Sequence, residues 1–153
     1  VDGTTTLTPA TVVGVAALSY LAAAATQTRW LGWLGVPVFI GLAFAGLLGV
    51  LPWWVLLLLA GVVLLAVGVV TGSGPETATQ AAALLGFFGV AIVALHLAPR
   101  AGLALAAVAL AAHAAWDVRH YRQDVVVNRS LAIFCIGLDL TVGVICIALA
   151  IVV

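Results

Sequence analysis

Six apolar blocks follow one another along the chain with only short polar punctuation between them, each about 18–24 residues long, the length that crosses a hydrocarbon core about 30 Å thick as an α-helix. Inside lipid every backbone N–H and C=O must be paired within the spanning structure itself. A helix satisfies its own backbone segment by segment. A β-barrel is excluded, because no block alternates apolar and polar residues and each is too long for a spanning strand of about 10 residues. The fold class that follows is an all-α, polytopic integral membrane bundle of six transmembrane helices. Composition agrees: 66% of residues are apolar and 7% charged, with a mean hydropathy of +1.37. Soluble domains carry about 25% charged residues. A formal net charge of zero leaves no electrostatic case for nucleic acid as a partner. The expected partner is the lipid bilayer, and the expected location is the cell (plasma) membrane.

The expected helices cover about 9–25, 30–50, 53–70, 76–97, 101–121 and 130–153, within one transmembrane domain over 1–153. Thr8 and Pro9 read as N-cap and first helical residue. Pro37 falls inside the second block, where it predicts a kink. Only Pro52 separates the second and third blocks. Thr71, Gly72, Ser73, Gly74 and Pro75 form the clearest turn. Pro99 is read as the end of the fourth helix, and a polar loop through Asn128 leads into the sixth. The first eight residues carry Asp2 and no basic residue, so no cleavable signal peptide is expected there.

Arginine sets the expected orientation. The first, third and fifth turns hold Arg29, Arg119, Arg122 and Arg129, against Arg100 alone on the opposite side. The positive-inside rule makes the first side cytoplasmic, with N-terminus and C-terminus both outside. Trp30, Trp33 and Trp116 then fall near the cytoplasmic interface, and Trp53 and Trp54 near the outer one, as an aromatic belt. Loops this short leave no room for a soluble catalytic domain. Any activity must be performed within the helices or at their ends.

Lipid tails are as apolar as leucine, so such helices associate through close approach at small residues. The rows Gly41, Ala45, Gly49 and Ala107, Ala111, Ala115 read as packing faces within the bundle, with a homo-oligomer or partner interface as the alternative. The third helix, wholly apolar from Trp54 to Val70, is expected to face lipid. Cys135 and Cys146 are eleven residues apart on one helix, roughly 16 Å, too far for a disulfide.

One constellation interrupts the apolar pattern. His113, Asp117 and His120 stand at i, i+4 and i+7 on one face of the fifth helix. Cys135, Asp139 and Cys146 share a face of the sixth. His113 and Asp139 both lie roughly 10–15 Å from the cytoplasmic end, and helices joined by a short loop are usually neighbours, so a His113–Asp139 contact is expected. A carboxylate near the bilayer centre costs at least about 2.5–3.5 kcal/mol unless it is paired or faces a cavity. Three readings account for it. His113 and Asp139 form a hydrogen-bonded pair that fixes packing. Alternatively His113, Asp117, His120 and Asp139 converge on a divalent metal, zinc or iron by their imidazole and carboxylate donors. In the third reading the same groups relay protons or line a solute path.

Tyr20, Ser19 and Thr141 are further hydrogen-bonding groups for a polar interior, or bond their own helices. His96 lies at the far end of the fourth helix and is expected at the interface. No two histidines are placed to hold a haem from both sides. Arg119 and Arg122 read as headgroup contacts, or as a clamp for an anion. The functional expectation is a small binding or transport component with a buried His/Asp site between helices five and six near the cytoplasmic face. The alternatives are an accessory or structural subunit of a larger membrane complex, and a metal-dependent intramembrane enzyme acting on lipid.

Overall fold

The computed structural model describes residues 7–49 and 51–153, all of it helix and short connection. The six helices are α1 (Pro9–Thr26), α2 (Leu31–Leu48), α3 (Trp53–Thr71), α4 (Gly74–Leu95), α5 (Pro99–Gln123) and α6 (Arg129–Val152). Each is long and apolar enough to cross a membrane, the pattern of a multi-pass membrane protein. The signal-peptide expectation rests largely on residues 1–6, and the expected end of the second helix on residue 50, both outside the described residues.

Prolines mark the helix starts more sharply than expected. Pro9, Pro75 and Pro99 each occupy the first turn of a helix. Here the missing N–H removes no intrahelical bond and the fixed φ suits the helix. Pro99 therefore opens α5, and α4 closes earlier, at Leu95. Within α4 the run Leu84–Phe88 is one π-helical turn, a feature with no proline or charge to announce it.

The bundle is organised around α1. Its face is buried almost all round, from Ala10 to Ala25, and it meets every other helix. This is possible because α1 is built from alanine, glycine and serine with few large side chains, so neighbouring backbones approach closely. At Gly14 the ring of Phe88 lies 2.6 Å from where a Cβ would stand. The neighbouring helices each bury one narrow stripe: Gly32, Gly35, Phe39, Ala43 and Gly46 on α2, where Gly35 lies against Ser19 of α1, and Trp53, Leu57, Gly61 and Gly68 on α3, where Gly61 lies near Leu18. Trp54, Leu58, Ala60 and Leu64 flank that stripe half-buried, and Leu59, Val62, Val63, Val69 and Val70 point outward.

Three expectations about packing are corrected. Gly41, Ala45 and Gly49 face away from the bundle, and among the described residues nothing approaches Gly41 within 4 Å. The inner face of α2 is set instead by its other glycines. On α5 only Ala107 of the alanine row is buried. Trp53, expected at the outer interface, is fully buried against Phe88, because the turn after Pro52 brings its backbone onto Gly46.

The first, third and fifth connections meet at one end. Arg29 forms an ion pair with Asp124 and donates to the Val127 carbonyl at 2.9 Å, while Arg129 stands 3.6 Å from the same aspartate. Asp124 closes α5 in a left-handed conformation, which a short polar side chain tolerates. Thr71 and Ser73 bond the Ala25 carbonyl, tying the third connection to the first. Arg100 lies at the opposite end, donating to the Ala150 carbonyl.

Because Gly14 is pressed against an aromatic ring, Gly14→Ala is expected to destabilise the bundle by about 1–3 kcal/mol, the usual cost of overpacking. Thermal unfolding in detergent measures it. An unchanged melting temperature would mean that α1 does not rely on that contact.

Candidate functional site

The closest helix pair is α5 with α6. Their seam includes Ala107, Leu110, His113 and Asp117 on one side, and Asp139 and Gly143 on the other. Gly143 lies against Leu110 and the Ala107 carbonyl. That contact, one turn from Asp139, draws the two backbones together where the polar groups lie.

The structure brings His113, Asp117 and Asp139 into one cluster. His113 Nδ1–H donates to Asp139 Oδ2 at 2.8 Å. Asp117 Oδ2 lies 3.4 Å from the same nitrogen without a hydrogen bond to it. All three side chains are fully buried. Their nitrogen and oxygen donors lie within 4.8 Å of one another, close enough to share a metal ion. Around them stand the Phe87 ring, edge-on to His113 at 5.3 Å, and the Tyr20 ring, edge-on at 5.9 Å.

The cluster is conspicuously short of partners. Among the described residues nothing hydrogen-bonds His113 Nε2, either oxygen of Asp117, Asp139 Oδ1 or the Tyr20 hydroxyl. Each is a buried polar atom in an apolar surround, where a missing partner costs about 1–3 kcal/mol. Two carboxyl groups face a single imidazole, so the set lacks positive charge when both are ionised.

His120 does not join this set. Its Nδ1–H donates to the Trp116 carbonyl at 2.9 Å, which leaves Nε2 as the acceptor of the neutral ring. The Gln80 amide donates to that Nε2 at 2.9 Å, and Trp116 Nε1–H donates to Gln80 Oε1 at 3.3 Å. Every member of this second network is satisfied, and both nitrogens of His120 are committed. The four-residue metal set expected from spacing therefore reduces to three.

The remaining candidates lie elsewhere. Arg119 is exposed with its guanidinium 4.7 Å over the Trp116 ring, and Arg122 is exposed one turn further on. His96 is exposed and donates to the Ile92 carbonyl. Ser19 and Thr141 bond carbonyls of their own helices. Gln80, Phe87 and the packing role of Tyr20 escaped sequence reasoning. Gln80 carried a signal, as an amide within a long uncharged run; Phe87 carried none, since aromatic residues in an apolar helix are unremarkable.

The class defined by fold and site is thus a six-helix bundle, of membrane-spanning length and apolarity, with an incompletely satisfied His/Asp/Asp cluster between two adjacent helices. Comparison with protein-family models, with curated proteins and with solved structures finds no match.

The hydrogen bond makes a quantitative expectation. His113→Leu and Asp139→Leu should show a coupling of about 0.6–1.7 kcal/mol in a double-mutant cycle, the range measured for buried polar pairs in membranes. Additive effects in unfolding measurements would show that the pair is not energetically joined.

Proposed function

We propose that this protein is a membrane-embedded binding or transport component whose ligand is a divalent metal cation held by His113, Asp117 and Asp139. The observation that carries the reading is the second carboxylate. A packing pair needs only His113 and Asp139, which already form a good hydrogen bond. Asp117 adds a fully buried carboxyl with no hydrogen-bond partner among the described residues. In a low-dielectric interior such a group is retained at a cost, and a doubly charged cation between two carboxylates removes that cost.

The spacing is compatible with coordination. Metal–nitrogen and metal–oxygen bonds of about 2.0–2.2 Å in a tetrahedral site put neighbouring donors roughly 3.3 Å apart. The two nitrogen–oxygen separations at His113 Nδ1 are 2.8 and 3.4 Å. Loss of the Nδ1 proton would let that nitrogen, Asp117 and Asp139 act together, leaving a fourth position for water or a ligand. Imidazole with carboxylates suits zinc or iron(II). The orientation that accompanies this reading places the Arg29–Asp124–Arg129 end in the cytoplasm and both termini outside, in the plasma membrane, under the positive-inside rule.

The test is metal binding by the purified protein. One equivalent of zinc or cobalt(II) is expected, with a thermal stabilisation reaching about 2.7 kcal/mol at a hundredfold excess over Kd. Asp139→Asn and Asp117→Asn should each lose the metal. Asp117→Asn should also leave the metal-free protein at least as stable as the parent, because it removes an unpaired buried carboxyl. Metal-free wild type that outlasts Asp117→Asn on heating, and that binds no metal, would reduce the cluster to a packing device and favour the accessory-subunit alternative. For orientation, reporter fusions at the Gly72–Gly74 turn should give a cytoplasmic signal and fusions at Val153 an external one.

A further inference from the structure

A cation bound at the cluster needs a way in, and the openings around it differ in chemistry. The first is a groove of about 340 Å³ along the outer side of the α5–α6 seam, with Asp139 among its lining. Its other walls are alanine, valine, leucine, glycine and isoleucine side chains. A hydrated cation would shed its water there with nothing to replace it, a cost that buried charge cannot bear unpaired.

The second opening lies between the start of α4 and the end of α5, beside Val125 and Val126 of the last connection. It has a volume of about 420 Å³ and is lined by Glu76, Thr79, Arg119 and Gln123, with Gln80 and His120 at its buried wall. Here the oxygens of Thr79 and Gln123 can stand in for lost water, and the Glu76 carboxylate offsets the charge of Arg119 on the same rim. His120 lies one turn of α5 from Asp117. The Tyr20 ring bridges the gap, 4.8 Å from the His120 ring and 5.9 Å from the His113 ring.

We propose that the cation reaches the cluster through this opening, and that Gln80, latched between His120 and Trp116, is the residue that closes it. The inference rests on the metal-binding reading above. Gln80 is suited to the task because it holds the wall by two hydrogen bonds, to His120 Nε2 at 2.9 Å and from Trp116 Nε1 at 3.3 Å. Both are made by one side chain on α4 reaching across to α5. A rotation of that side chain parts the wall without moving a helix. Among the described residues Gln80 makes no hydrogen bond to the cluster, so its role is in passage and not in holding the ion.

The experiment is cobalt(II) loading and release by the purified protein, followed by its visible absorption, with equilibrium binding measured on the same samples. Gln80→Ala should raise the loading and release rates together by about tenfold, the factor that losing one or two modest hydrogen bonds from the closed state makes. The Kd should stay unchanged. A role in stability alone would lower the melting temperature without moving the two rates in parallel. As a second arm, Thr79→Cys carrying a bulky maleimide should load more slowly than the same protein before labelling. Leu97→Cys, exposed at the opposite end, should load at one rate before and after labelling. Both native cysteines are buried, so labelling reports the introduced thiol. Tight cobalt binding with rates indifferent to Gln80→Ala and to the Thr79 label would overturn the route while leaving the metal site standing. Absence of cobalt binding in the wild type would overturn the metal site, and the route with it.

Discussion

In a medium where water offers no driving force between helices, the close approach of small residues decides which helix can sit at the centre. Here that helix is α1. Its alanines and glycine let five neighbours pack against one cylinder, and everything polar in the interior is positioned by that arrangement. Tyr20 is the one bulky polar side chain α1 sends inward. It lies fully buried with its ring against both His113 and His120. The α5–α6 pair would meet at Gly143 in any case, but without α1 the cluster would have no third wall. Phe87, delivered by the π turn of α4, adds a fourth. The extra residue of such a turn shifts the register of the helix beyond it, so that Phe87 meets α5 while Phe88 meets α1 and Trp53.

Much of this was legible in the chain, and the part that was not has a physical cause. Six spans followed from block length alone, and the His113–Asp139 contact from depth and adjacency. The centrality of α1 could not be read. In a soluble protein an apolar stripe marks the core, whereas lipid-facing and core-facing residues are here equally apolar and no stripe appears. The same ambiguity misassigned Gly41, Ala45 and Gly49, whose spacing resembles a packing row although the row faces outward. Trp53 and Trp54 are adjacent in sequence, yet only one is fully buried. Helix period without a polar reference face cannot tell them apart. Proline both ends and begins helices, so Pro99 alone does not tell a stop from a start; what decides is whether the chain before it has somewhere to turn, and His96, Leu97 and Ala98 supply the turn.

Spacing along one helix also overstated the metal set. His113, Asp117 and His120 do share a face of α5, but a face is a hundred degrees wide and two helices contact it. α6 brings Asp139 to the first two. α4 brings Gln80 to the third. Which donors converge is thus settled by the neighbours of α5, and α4 gave little warning, since its single amide could as readily have faced a loop.

The two polar networks on α5 stand one turn apart and differ in a way that bears on their roles. His120, Gln80 and Trp116 form a chain in which each donor finds an acceptor and the direction of every bond is determined, beginning from the Trp116 carbonyl, which can only accept. Such a network fixes geometry and carries no net charge. His113, Asp117 and Asp139 share one hydrogen bond among five polar side-chain atoms beyond its donor. The first lies between α4 and α5 and the second between α5 and α6, both where leaving polar atoms without partners is costly, and the first shows that this bundle can satisfy a histidine completely. The open valences of the second are therefore not explained by packing difficulty. The proposed cation accounts for that difference, since two carboxyl groups around an imidazole nitrogen are donors that suit a divalent ion.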